Sequence, residues 1–213
     1  MLQKDYIYIE DVFTKKQCEE LIEEFNKRKE EAIQEHCTHA SNNVDTTSTF
    51  KRIELIPKTK SFNLVHSATK HMTKQWIKYL KKLDSTHSFV VEKNLNFVHM
   101  YRLMCYEKGG WIHPHIDWCE FTHASCTILL NDDYEGGEFS FFNGKHNVQM
   151  KAGQAMIFPA NAYWVHEVKE IKKGKRYSTN CFILSLPVER QAQLNSMAWD
   201  FKNVKGHDLS LKD

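Results

Sequence analysis

The 213-residue chain has no run of about 18 apolar residues, so no segment of it reads as a membrane-spanning helix. It has no Cys-x-x-Cys pair. Cys18, Cys37, Cys105, Cys119, Cys126 and Cys181 are scattered, mostly in apolar stretches where a free thiol behaves as a small buried hydrophobe. That argues against a disulfide framework or a cysteine-built zinc site and points to reduced thiols in a cytoplasmic protein. Neither sign of charge is in excess: 29 Lys and Arg face 27 Asp and Glu, a net charge of +2. Such a balance gives no electrostatic footprint for nucleic acid or a membrane surface, and neither is expected as a partner. The opening MLQKDYIYIEDVF carries acids early and lacks a continuous apolar stretch, so it does not read as a signal peptide. Internal repeats and low-complexity segments are also missing. What remains is ordinary globular composition, 41% apolar and 26% charged, long enough to bury one substantial core.

Residues 6–9 read as a short strand. Thr14-Lys-Lys-Gln17 has capping-box spacing with Phe13 as the staple, and Cys18, Leu21, Ile22 and Phe25 recur at helical intervals; the helix is expected to run to about residue 33. Residues 34–50 are polar, show neither helical nor strand periodicity, and read as a long loop, a candidate lid over a site. Val65, Met72, Trp76, Leu80 and Leu83 line one face of a second helix over 63–83. From residue 88 the texture becomes short β-rich runs, at 88–93, 95–104, 125–130, 137–142, 154–158, 163–168 and 176–184, each bounded by Gly, Asn, Asp or Pro. This pattern predicts a β sandwich or barrel. One domain is expected over 1–187, with a helical support region at 1–87 and a β core at 88–187. A polar tail over 188–213 carries Trp199 and Phe201.

The chemistry-bearing residues lie in the β half. His115 and Asp117 form a His-x-Asp pair, and residues two apart on a strand share a face. His166 follows 51 residues after His115 (166 − 115 = 51), in the apolar run Tyr163-Trp-Val-His-Glu-Val168. Two histidines and one carboxylate on one face of a metal leave positions open, the arrangement typical of non-haem iron(II) oxygenases. His113 and His123 are competing ligands, although Pro114 interrupts the strand that would carry His113. Ten residues past His166, Arg176 and Ser178 share a strand face. There a guanidinium fork and a hydroxyl can bind a carboxylate, and a dicarboxylate would resolve the cost of an unpaired buried arginine. Asn180 continues that face. Trp118, Trp164 and Phe182 are either cavity walls or ordinary core.

The stretch Tyr106-Glu-Lys-Gly109-Gly110-Trp-Ile-His-Pro114-His115-Ile-Asp117 resembles the first-ligand motif of the prolyl 4-hydroxylase branch of the 2-oxoglutarate- and iron(II)-dependent oxygenases. The opening strand–helix unit, the Asn131–Phe139 segment with its Gly-Gly-Glu turn, Phe158-Pro159, His166 and Gly174-Lys-Arg-Tyr-Ser178 are similar to that branch in the same order, so the likeness covers about residues 6–187. The resemblance implies an α+β, mainly β fold: a double-stranded β-helix (jelly-roll, cupin-like) core with the N-terminal helices packed on one sheet. It implies iron ligation by His115, Asp117 and His166. It also implies 2-oxoglutarate binding by Arg176 with Ser178, Tyr106 and Asn180, and ascorbate as a candidate reductant. The implied reaction couples dioxygen and 2-oxoglutarate to hydroxylation of an unactivated C–H bond, first of all in a prolyl residue of a peptide or protein. A free amino acid or other small molecule, or a non-catalytic metal-binding β-helix module, are the alternatives. Three positions depart from the pattern: Arg176 where collagen-type enzymes carry Lys, Ile112 where a second Tyr is common, and Phe139 where Thr is frequent. A nucleic-acid demethylase of the same superfamily would carry Arg-x-Asn-x-Thr-x-Arg on the distal strand, against Arg176-Tyr-Ser-Thr-Asn-Cys-Phe182 here.

Overall fold

The helix that follows Phe13 starts where its capping residues put it. In a computed structural model, which describes residues 3–37, 48–117 and 121–186, α1 spans Lys15–Lys27. The Thr14 hydroxyl accepts from the Gln17 amide and the Gln17 side chain accepts from the Thr14 amide, the reciprocal pair that the spacing predicts. The helix ends six residues before the expected end. Its apolar recurrence stops at Phe25, and Arg28 terminates it by pairing its guanidinium with Glu24, Glu31 and the Glu54 carbonyl. Ile33 therefore belongs not to the helix but to strand β2 (Ile33–Cys37), which pairs with β3 (Ser48–Glu54). Both ends of the expected 34–50 loop are thus a hairpin; residues 38–47, where a lid was expected, lie outside the described residues.

Helix α2 (Lys60–Leu83) is capped by Thr59 and buries Phe62, Val65, Met72, Trp76 and Leu80 along one face. Its Trp76 indole donates to the Tyr6 carbonyl and Tyr79 to the Asp5 carbonyl, which pins the N-terminal segment. That segment forms a 3-10 turn over Gln3–Tyr6, so the first strand, β1, is displaced to Tyr8–Asp11. The expected strand at 88–93 is instead the end of a helix, α3 (Ser85–Asn94). Asp84 caps the Thr86 amide and Ser88 bonds back to the Ser85 carbonyl. The β-branched and aromatic residues that read as a strand are largely on its surface, with Phe89 57% and Val90 54% exposed.

The remaining strands are β4 (Phe97–Tyr106), β5 (Ile112–His115), β6 (Thr122–Leu129), β7 (Glu135–Gly136), β8 (Phe139–Phe141), β9 (His146–Val148), β10 (Gln154–Pro159), β11 (His166–Val168), β12 (Ile171–Lys173) and β13 (Arg176–Leu184). Of the expected run at 137–142 only Phe139–Phe141 is strand, and that at 163–168 begins only at His166. The large sheet has the order β1-β10-β6-β13-β4-β3-β2, the small one β5-β11-β8-β9, and β12 pairs with β7 in a separate ribbon; all pairings are antiparallel. The N-terminal 87 residues therefore supply three strands to the large sheet as well as its covering helices.

Alternation along the large sheet divides the core in two. Tyr177, Cys181 and Ile183 of β13, with Ala155 and Ile157 of β10, pack beneath the helices alongside Leu21, Phe25, Met72 and Trp76. Residues of the opposite face, including Met104, Tyr106, Met156 and Phe158, meet Phe139, Phe141 and Trp164 between the two sheets. A jelly-roll with helices on one face is the result, in agreement with the expected fold class. Cys18, Cys105, Cys126 and Cys181 are free thiols, all buried. Among the described residues no helix is long and apolar enough to cross a membrane.

Candidate metal centre and its cavity

Two histidines and an aspartate meet in the space between the sheets. His115 closes β5, His166 opens β11, and the two are cross-strand partners in register, with ring centroids 4.3 Å apart. Asp117 is not on the strand that carries His115, as the i, i+2 argument has it. It lies two residues past the strand end, where its carboxylate turns between the imidazoles: Oδ1 is 3.4 Å from His115 Nε2 and Oδ2 is 3.3 Å from His166 Nε2. One ligand atom from each of the three falls within 4.8 Å of the others.

The surroundings fix these side chains in one orientation. His115 Nδ1 donates to the His113 carbonyl (2.8 Å) and His166 Nδ1 to the Trp164 carbonyl (3.0 Å), so both Nε2 atoms are turned toward the carboxylate. Ser125 Oγ donates to Asp117 Oδ2 at 2.5 Å. The Phe139 ring lies nearly parallel to His166, 10° between planes, and Phe158 meets it edge-on. Burial opposes the charge on Asp117, but His166 and then His115 outweigh it and hold the carboxyl well below its usual range. Burial also opposes a charged His166, and the adjacent Asp117 reverses the balance and raises its pKa. A carboxylate between two imidazoles, each with its far nitrogen tied to a carbonyl, is a set of groups ready to exchange protons for a divalent cation.

The three residues line a cavity of about 190 Å³ whose floor is the inner face of β13 and β4. Arg176 is only 2% exposed. Its Nη1 donates to Ser178 Oγ at 2.9 Å and its guanidinium lies 5.4 Å from the centre of the Tyr106 ring, while its Nε has no hydrogen-bond partner. Tyr106 is itself stacked on Phe50. Asn180 lines the same cavity, flanked in register by Arg102 and Thr127. Gly137 sits against Arg176 with φ +69°; a side chain there would meet Ile171, Tyr134 and the Arg176 stem, so the Gly-Gly turn lets β7 close over the arginine. The donor chemistry fits a non-haem iron, and the orphaned guanidinium nitrogen fits a carboxylate at the other end of the same space.

Other candidates fall elsewhere. His113 is buried against Trp111 and outside the cluster of three; His123 is outside it as well. Trp164 is core, packed on Phe141, Phe142 and Phe158, whereas Phe182 does line the cavity. Trp118 lies outside the described residues, as does everything after Leu186, including the tail. Sequence reasoning missed Ser125, the ring of Phe139 over His166, and the cavity residues Arg102 and Glu35. Strand alternation with Thr127 could have drawn attention to Ser125. Glu35 sits in a stretch with no periodic signal.

Fold and cluster together define a class: a double-stranded β-helix carrying a His-x-Asp…His group in its mouth. Residues 101–184 match the model of the 2OG-Fe(II) oxygenase superfamily. A PKHD-type hydroxylase of Hyphomonas neptunium is 33% identical over 88 residues, which is 35% of this chain and 38% of that protein, so the match spans little more than a third of the curated relative. Among solved structures, a Pseudomonas putida prolyl-4-hydroxylase superposes with a TM-score of 0.61 at 16% identity, covering 84% of this chain and 92% of that one. A Trichoplax adhaerens prolyl hydroxylase, solved with a hypoxia inducible factor oxygen degradation domain peptide fragment, gives 0.63 at 13% identity, covering 85% and 84%. At such identities the superpositions speak to the fold, which is the expected double-stranded β-helix.

Proposed function

We propose that this chain is a 2-oxoglutarate- and Fe(II)-dependent dioxygenase that hydroxylates an unactivated C–H bond. His115, Asp117 and His166 are the iron ligands in this reading. Arg176, helped by Ser178, Tyr106 and Asn180, receives the distal carboxylate of 2-oxoglutarate. The observation that carries it is the presence, in one cavity, of a two-nitrogen, one-oxygen donor set and a buried guanidinium with an unsatisfied nitrogen. Iron with its cosubstrate supplies the oxidising chemistry when bound. The protein's own residues do the rest. The carbonyls of His113 and Trp164 hold both imidazoles as neutral ligands, Ser125 aims the carboxylate, and Arg176 sets which way a dicarboxylate lies. Phe139, Phe158 and Met104 keep water from the reacting end.

A prolyl residue of a peptide or protein is the first substrate in this reading, supported by the hydroxylases and prolyl hydroxylases that the chain is similar to. Dioxygen is the co-reactant and ascorbate a candidate reductant. A small carboxylate-bearing substrate is the second reading, favoured by the additional arginine, Arg102, in the cavity. Anaerobic addition of Fe(II) and 2-oxoglutarate to metal-free protein tests the assignment. A weak visible charge-transfer band that needs both additions, followed by succinate formation on admitting air, is the expected result. Iron binding with no band and no succinate would leave only a metal-binding β-helix module.

A further inference from the structure

Arg176 is not the only guanidinium with an orphaned nitrogen. Among the described residues, the buried side-chain nitrogens without a hydrogen-bond partner are Arg176 Nε and Arg102 Nε, and both arginines line the same cavity. They sit at different ends of it. Arg176 pairs with Tyr106 across the β13–β4 ladder, and Arg102 pairs with Asn180 four residues further on, about 13 Å along the strand. Arg102 lies at the metal end. Its guanidinium is 5.1 Å from the centre of the Phe182 ring, and Phe182 is the ladder partner of Ser125, which holds Asp117.

The protein gives Arg102 charge neighbours but no fork of acceptors. Glu54, its ladder partner on β3, and Glu35 on β2 are both bonded to Arg52 instead. The one contact from its Nη2 is to the Met100 sulfur at 3.7 Å, a weak acceptor. A guanidinium held in a cavity with most of its donors unused costs stability unless a ligand completes it. A planar carboxylate matches its geometry with two parallel bonds, and an amide or an apolar group does not. If the far end of the cavity is taken by the cosubstrate's carboxylate, Arg102 faces what enters at the metal end.

We propose that Arg102 is a specificity-determining residue for the substrate, and that the cavity selects molecules presenting a carboxylate close to the C–H bond to be hydroxylated. This rests on the oxygenase reading above. Two sources share that chemistry: the α-carboxylate of a free amino or imino acid, and an acidic side chain beside the target residue of a peptide.

The test uses the anaerobic protein–Fe(II)–2-oxoglutarate complex and follows displacement of its visible band. The probes are the twenty free amino acids against their carboxamides, and N-acetyl-Pro-Glu-amide and N-acetyl-Pro-Asp-amide against the Gln and Asn counterparts. Wild type, Arg102→Met and Arg102→Lys are compared, with melting curves for each. At least one carboxylate probe is expected to bind the wild type about tenfold or more tighter than its amide. Arg102→Met should erase that preference, Arg102→Lys should keep part of it, and Arg102→Met should melt no lower than wild type. A positive free-acid arm assigns a small-molecule substrate; a positive peptide arm assigns an acidic sequence context. A band that forms normally with no carboxylate preference, or with a preference that survives Arg102→Met, overturns the proposal. So does a fall in melting temperature with preference intact, which would make Arg102 a structural counter-charge to Glu35 and Glu54. Absence of the band in wild type overturns the oxygenase reading itself.

Discussion

The two faces of the large sheet are built from the same strands and have opposite chemistry. On β13 the residues turned to the helices are Tyr177, Cys181 and Ile183, whereas those turned to the small sheet are Arg176, Ser178, Asn180 and Phe182. On β4, Leu103 and Cys105 face the helices and Arg102, Met104 and Tyr106 face the cavity. The helix-side face is filled with buried apolar groups, while the cavity face holds two arginines with unused donors. A period of two therefore lets one strand carry stability and reactivity separately.

That separation can be broken at points of decreasing severity. Asp117→Ala should have the largest effect. It removes the only carboxylate of the cluster of three, and anaerobic calorimetry should show Fe(II) affinity falling by more than the roughly 10–100-fold that loss of an outer hydrogen-bonding partner brings. Arg176→Met should weaken 2-oxoglutarate binding by about 2–5 kcal/mol, measured by titration of the chelate band, because it deletes the buried cation proposed to receive the distal carboxylate. Its melting temperature should stay the same or rise, since a buried, half-satisfied charge is gone. Leu80→Ala, on the helix side, should do the reverse: about 2–5 kcal/mol lost in chemical denaturation, with affinities of the folded protein intact.

A smaller effect concerns pH. In metal-free protein the raised pKa of His166 means that its pairing with Asp117 stabilises fully below the unfolded histidine value, about 6.5, and fades as pH rises through the folded value. Asp117 works in the other direction: its depressed pKa contributes stability above about 3.9, lost only as pH falls through the folded value. Metal-free protein should therefore melt lower at pH 8 than at pH 6, and His166→Gln should flatten that slope. Fe(II) affinity should rise over the same interval, because the metal competes with the His166 proton.

The parts of this molecule that could be read from sequence are those where local pattern and tertiary role agree. Thr14 and Gln17 mark the start of α1, β13 runs over the expected 176–184, and the face of α2 is the one its apolar spacing describes. The failures have physical reasons. Phe89, Val90 and Val91 look like a strand, yet the backbone bonds of that segment are satisfied by a helix capped by Asp84, and its apolar groups stay largely outside. Ile33–Cys37 is a polar edge strand whose pairing with β3 leaves no alternation to detect. At the site, His115, Asp117 and His166 were legible by residue type and spacing. Their convergence depends on the register of β5 against β11 and on a chain turn after His115, neither of which is written locally. Arg102 was invisible for the same reason: only the ladder reveals that it shares a cavity with Arg176.

Stability and ligand binding reside on opposite faces of the same strands. Melting temperature and 2-oxoglutarate affinity, measured with Fe(II) present and oxygen excluded for Leu80→Ala and Arg176→Met side by side, separate the two faces. A crossed result is expected: Leu80→Ala melts lower and binds as wild type, and Arg176→Met binds weakly and melts as wild type or higher. If both variants lose melting temperature and affinity together, the two faces are not separate.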